Sequence, residues 1–268
     1  MRSLYGQFGS TRPLWQQVVF TTLASLFLLC TCTQTARAQV SELTRYAAPN
    51  ANAIIFFNVN QVMKSPLAAS QDWKENFDKA YASGLVAVPP STSEVMISSD
   101  LDISTWKSLL TTAVFELNEP FGLGVVSRQY NGVPDTIGST STLLLSQGVY
   151  VVQASDRRAA VISSGNRQVV SRWLQSAEKS STNLLSEYLQ AAATRTKISD
   201  IVLAIDLHNA FPVAVIENEL KSSELFSKSS DAERTAVAKL LQTLKGVTLE
   251  VIVKQDADSR LVVDFGGD

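Results

Sequence analysis

Two pairs of apolar segments in this chain are separated by only a few polar residues, and that spacing limits what the chain can fold into. Gly148–Ala154 and Ala159–Ser163 flank Ser155-Asp156-Arg157-Arg158, and Thr248–Lys254 and Leu261–Phe265 flank residues 255–260. A parallel pair needs a crossover of a dozen or more residues, so both pairs must be antiparallel. Four more segments have strand composition: Ala53–Val59, Glu94–Leu101, Ala113–Leu117 and Ile201–Leu207. Between them lie four helical patterns. Ser65-Pro66 opens the first, which carries Trp73, Phe77, Ala80 and Tyr81 at helical spacing and closes at Gly84. The second follows Ser164-Gly165-Asn166 and sets Val169, Val170, Trp173 and Leu174 on one face. The third follows Ser181, with Leu184, Leu185, Tyr188, Leu189 and Ala192. The fourth has the capping box Ser230-Asp231-Ala232-Glu233, then Val237, Leu240, Leu241 and Leu244, with Lys245 and Gly246 at its end. These elements predict an α+β fold, a mainly antiparallel sheet with helices packed on one face.

The first forty residues carry an address. Arg2 and Arg12 precede an apolar run, Val18–Cys32, and Ala36-Arg37-Ala38 follows it. Basic n-region, h-region and A-x-A site together read as a secretory signal peptide, residues 1–38. A helix over the run spans ~22 Å, short of the ~30 Å hydrocarbon core. The alternatives are a single anchor, in which residues 18–32 stay uncleaved, and a lipoprotein acylated at Cys30 or Cys32. Leu29 and Thr31 sit where a lipobox wants a small residue.

Cleavage after Ala38 removes both cysteines and three of the 23 basic residues but none of the 25 acidic ones, leaving a formal charge of −5. Such a chain folds without disulfides and has no thiol chemistry. Its acidity argues against a nucleic-acid partner. A single histidine, His208, leaves no zinc constellation and reads as a loop or capping residue. Asp256 and Asp258 alternate as in a calcium loop, but Arg260 holds the next ligand position. The sequence has no G-x-S-x-G elbow and no H-E-x-x-H, and two S-x-x-K matches, at Ser104 and Ser176, are what 32 serines and 11 lysines produce by chance. Gly122-Leu123-Gly124 lacks the third glycine of a dinucleotide fingerprint. No cofactor is expected, and no pair of carboxylates stands out.

The least ordinary feature is a basic cluster in an acidic chain. Arg157, Arg158, Arg167 and Arg172 fall within 16 residues, and Ser164, Gly165 and Asn166 precede a helix N-terminus. Backbone amides and guanidinium groups gathered there would bind an anion or an acidic polymer of the envelope. The competing reading is a solvated face pairing with Asp156 and Glu178. Trp73 and Trp173 sit on apolar stripes and read as core, whereas Trp106 lies in a polar stretch and reads as an exposed ring able to stack on a sugar.

The chain echoes itself. IIFFNVNQVM, Ile54–Met63, lines up with VLAIDLHNAF, Val202–Phe211, each an apolar strand ending at Asn58 or Asp206 before a polar pair. The echo predicts two related halves, 39–197 and 198–268, the second shortened as in a truncated form of a longer architecture.

Tyr46–Ala53, running into Asn58-Val59-Asn60 and Ser65-Pro66-Leu67-Ala68, resembles the opening of uncharacterised exported proteins of planctomycete bacteria. Arg167–Leu174 (RQVVSRWL) is similar to a later block of the same group. The resemblance implies export and transfers no activity and no site residues. The expectation is therefore an exported, periplasmic or extracellular, non-enzymatic binding or structural module. A hydrolase using carboxylates or a serine and a membrane-anchored envelope protein are the alternatives.

Overall fold

The structure is a computed structural model that describes residues 42–86, 88–179 and 184–266. The chain divides into Met1–Gln39 and Val40–Asp268, and every described residue belongs to the second unit. The signal segment lies outside the described residues.

Among the described residues, ten strands form one sheet: β1 (Ala53–Asn58), β2 (Thr92–Asp102), β3 (Lys107–Leu117), β4 (Val133–Ile137), β5 (Thr140–Leu145), β6 (Val149–Ser155), β7 (Arg158–Ile162), β8 (Ile201–Asp206), β9 (Leu244–Val253) and β10 (Ala257–Phe265). Their spatial order is β10-β9-β8-β1-β2-β3-β7-β6-β5-β4. Every pairing is antiparallel. Both short-turn hairpins, β6–β7 and β9–β10, form as their spacing requires, and the α+β class holds.

Among the described residues, eight α-helices lie between the strands: α1 (Val59–Met63), α2 (Pro66–Ser70), α3 (Trp73–Ala82), α4 (Leu123–Tyr130), α5 (Arg167–Lys179), α6 (Glu187–Thr194), α7 (Val213–Ser222) and α8 (Asp231–Gln242). The main core lies on one face of the sheet. Ile54, Phe56, Met96, Val114, Val152, Ala160, Ile162, Val202 and Ala204 meet Val170, Trp173, Leu174 and Ala177 of α5 and Leu189, Ala192 and Ala193 of α6. Trp173 is fully buried, its Nε1 donates to the Tyr46 carbonyl at 3.0 Å, and its ring packs on Tyr46. The opposite face carries a smaller cluster in which Val59 and Met63 of α1 and the loop residues Val88 and Phe121 meet Phe57, Val95, Ile97 and Phe115. Helices α7 and α8 pack on each other through Ile216, Leu220, Ala238, Val237 and Leu241.

Several local expectations need correction. The first helical pattern is two helices, because the chain breaks at Asp72, whose φ is +52°. The stripe on α3 is half-buried rather than core, so Trp73 sits at a margin. Ser181 is outside the described residues, and the third helix starts later, capped by Ser186. The fourth keeps its capping box but ends at Gln242. Leu244, Lys245 and Gly246 open β9 instead, drawn into the ladder beside β8.

Strands β1 and β8 lie side by side with Ile55 opposite Leu203. The backbone closes the pair at both ends in the same way: Asn58 N donates to Asp200 O at 2.8 Å, and Asp206 N to Asn52 O at 2.7 Å. Side chains repeat the arrangement. Asn52 Oδ1 accepts from Leu101 N on β2 at 2.8 Å, and Asp200 Oδ2 accepts from Val253 N on β9 at 2.7 Å. Each strand is then followed by helices, an adjacent antiparallel strand and a hairpin.

Candidate functional site

The arginine cluster does not converge. Strand β7 stands between its two parts, and at ~3.4 Å per residue its five residues place the β6–β7 turn about 17 Å from the start of α5. Arg158 is buried. Its Nε donates to Glu116 Oε2 at 2.7 Å, its outer nitrogen pairs with Glu42 at 3.0 Å, and its guanidinium lies over the Tyr46 ring. Arg167 pairs with Asp135 at 3.1 Å and donates to the Thr136 carbonyl. Ser164 Oγ accepts from Asn166 N, and Asn166 Oδ1 accepts from Gln168 N at 2.9 Å, so both groups serve the helix start. Gly165 packs on Gly148, where an added Cβ would come within 3.2 Å of backbone. Arg157 and Arg172 are exposed and pair with no acid among the described residues. Of the four arginines, these two have no acid partner among the described residues, Arg157 in the turn before β7 and Arg172 on α5.

A different site assembles from residues far apart in sequence. Strand β1 runs antiparallel to both of its neighbours, so its start meets the ends of β2 and β8. There a cleft of about 800 Å³ opens, lined by Asn50, Asn52, Asp102, Ser104, Ser186, Asp206 and His208, with Leu101, Ile103, Leu184 and Leu185 among its apolar parts. Asp102 closes a turn. Its Oδ1 accepts from Ser104 N at 2.9 Å and Ser104 Oγ at 2.6 Å, and its Oδ2 from Thr105 Oγ1 at 2.8 Å. The hydroxyls of Ser104 and Thr105 hold this carboxyl below the usual carboxylate range. Trp106, in the same turn, has φ +54° and is 63% exposed, as its polar surroundings predict.

On the other wall, Ser186 Oγ donates to Asp206 Oδ2 while accepting from Leu189 N to cap α6. Asp206 Oδ1 accepts from the backbone N of His208 at 2.9 Å. A serine, an aspartate and a histidine thus share the cleft in an order unlike a nucleophilic triad, in which the imidazole stands between hydroxyl and carboxylate. Here the hydroxyl bonds the carboxylate directly. The His208 side chain is exposed and has no hydrogen-bond partner among the described residues.

At the far end of the sheet a second cluster pairs carboxylates that the sequence did not single out. Glu94 on β2 lies opposite Glu116 on β3, which lies opposite Arg158 on β7. Arg158 binds Glu116 and Glu42, leaving Glu94 Oε2 buried without a partner. Burial, and then the charge of Glu116, push the Glu94 carboxyl up to about 7. Among the described residues no group of three or more His, Cys, Asp or Glu could hold a metal ion, and no helix is long and apolar enough to cross a membrane.

No family model matches this chain, and no curated protein matches it. Solved structures of TP0453, a Treponema protein, are similar in fold. Crystal form III is 13% identical, with a TM-score of 0.50 over 84% of this chain and 80% of that one. Crystal form I is 12% identical, with a TM-score of 0.47 over 83% and 77%.

Proposed function

We propose that the chain is an exported protein of the cell envelope or periplasm that works as a non-enzymatic binding module. Its cleft at the start of β1 receives a neutral or amino-bearing segment of an envelope polymer. One observation carries the reading: a polar cleft of about 800 Å³, one wall of which is the Asp102–Ser104 turn that also carries the exposed Trp106. Asn50, Asn52, Ser104 and Ser186 offer amide and hydroxyl groups, and Asp102 and Asp206 add two carboxylates. Carboxylates repel anions and accept hydrogen bonds from hydroxyl and ammonium groups, which favours a sugar or amino sugar over the anionic ligand suggested by the arginines. Trp106, two residues from Ser104 in the cleft wall, presents an exposed indole, a flat apolar surface on which a pyranose ring can stack. The Ser186 hydroxyl is already donated to Asp206, which supports binding over a serine-hydrolase reading. The same reading takes 39–197 and 198–268 as related halves, and the matching clips at Asn52 and Asp200 support it. It also takes residues 1–38 as a cleaved leader.

The experiment is a titration of the purified protein with neutral glycans, amino-sugar fragments, sulfate and a polyanion, read by tryptophan fluorescence and thermal shift. Neutral or amino sugars should quench fluorescence and raise Tm, and Trp106→Ala and Asp102→Ala should each weaken the effect. Stabilisation by sulfate alone would overturn the cleft as the site. So would turnover of ester or glycoside substrates that Ser186→Ala abolishes. A mass spectrum beginning at Gln39 tests export against an uncleaved anchor at residues 18–32.

A further inference from the structure

Among the described residues, strand β10 is one border of the sheet, paired to β9 on one side only. Its outer backbone groups form a row open to another strand. The side chains along it are exposed in alternation: Leu261 is 64%, Val263 45% and Phe265 44% exposed. They extend an apolar stripe inward, since Leu261 lies opposite Leu249, Leu249 opposite Leu203, and Leu203 opposite Ile55. On the other face of the strand stand Arg260, Val262 and Asp264. Glu250, opposite Arg260, is already bound by Arg195 at 2.7 Å and Ser199 at 3.0 Å. Arg260 itself pairs with no acid among the described residues, and Asp264 accepts only the Tyr188 hydroxyl, through Oδ2 at 3.1 Å.

We propose that β10 is the contact strand of a homodimer, in which the outer edges of two copies pair antiparallel about Val262. The register follows from charge. Charges on an edge strand ordinarily keep other strands away. Here the two charges are opposite in sign and four residues apart. Pairing centred on Val262 sets Arg260 of one copy opposite Asp264 of the other, twice, with the two Val262 side chains between them. A shift by one residue to Leu261 would instead set Asp258 against Asp264, two like charges. On the apolar face the Val262 register puts Leu261 of one copy opposite Val263 of the other, so both stripes meet across the seam. A single strand edge is a small contact of the transient class, so the dimer is weak, with a dissociation constant on the order of tens of micromolar. The dimer does not depend on what the cleft holds.

The test is sedimentation equilibrium of the purified protein from about 1 to 500 μM, a range that brackets such a constant. The expected result is a reversible monomer–dimer equilibrium. Arg260→Asp places like charges across the seam and should raise the dissociation constant at least about tenfold. The double exchange Arg260→Asp with Asp264→Arg should restore it. Both positions lie on the outer strand, and circular dichroism checks that each variant is folded. With Cys30 and Cys32 replaced by serine, Val262→Cys should give a disulfide-linked dimer on mild oxidation. A monomer throughout the range overturns the proposal. So does a dimer whose constant Arg260→Asp leaves unchanged, or a folded double exchange that stays as weak as the single variant.

Discussion

Replacing Glu94 by glutamine should stabilise the protein in neutral solution and leave it unchanged in acid. In the folded chain the carboxyl is raised from 4.5 to about 7, first by burial and then by the charge of Glu116. Between those two pH values the folded state holds a proton that the unfolded chain has released, so stability falls as pH rises through the window. At about 1.36 kcal/mol per pH unit the full displacement corresponds to roughly 3 kcal/mol. Glu94 is only half-buried, and solvent screening reduces this to about 1–2 kcal/mol. Glutamine keeps the shape and removes the charge. Urea melts of wild type and Glu94→Gln at pH 4.5, 6, 7 and 8 measure the difference, because the other titrating groups are common to both. The variant should match wild type at pH 4.5 and gain about 1–2 kcal/mol by pH 8, or about 2–8 °C in Tm. A gain independent of pH, or a loss at pH 8, would refute the assignment of an uncompensated carboxylate at this position.

Arg158→Ala should cost about 3–5 kcal/mol in a denaturant melt, because it strands the Glu116 carboxylate in the interior, whereas Glu42→Ala, at the exposed end of the same triad, should cost about 1 kcal/mol or less. Gly246→Ala should lose about 3 kcal/mol or fail to fold, since a Cβ there would lie 2.5 Å from the Ile205 carbonyl and strike the Tyr188 ring; the yield of soluble protein and the melt read it out. Ser230→Ala removes one half of the capping box on α8 and should cost about 1 kcal/mol, seen in hydrogen exchange as loss of protection confined to α7 and α8.

The strands that the sequence revealed share a physical signature, an apolar run between polar turns, and all eight expected strands are present with shifted ends. Strands β4 and β5 lack that signature and lie at the other border of the sheet. Pro134 breaks the reading of β4, and an edge is where the ladder tolerates a proline. Leu244–Gly246 has helical spacing but strand structure for a related reason. Val237, Leu240, Leu241 and Leu244 continue one helical period, and only pairing with β8 decides that the last of them belongs to a strand. Trp173 was legible as core because its stripe on α5 is long and continuous. The shorter stripe on α3 packs only at a margin.

The sequence by itself determined the antiparallel hairpins, the helix caps at Ser65 and Ser230, the class of the fold and the exposure of Trp106, because each depends on neighbours a few residues away. It could not determine which groups come together. Arg157 and Arg167, ten residues apart, are separated by a strand, because extended backbone carries the chain away at about 3.4 Å per residue. Asn52, Asp102, Ser186 and Asp206 are far apart in sequence yet line one cleft, because an antiparallel sheet brings the start of one strand to the ends of its two neighbours. Local chemistry is written along the chain, while convergence is a property of strand order, and strand order is set by long-range pairing that no short window of residues encodes.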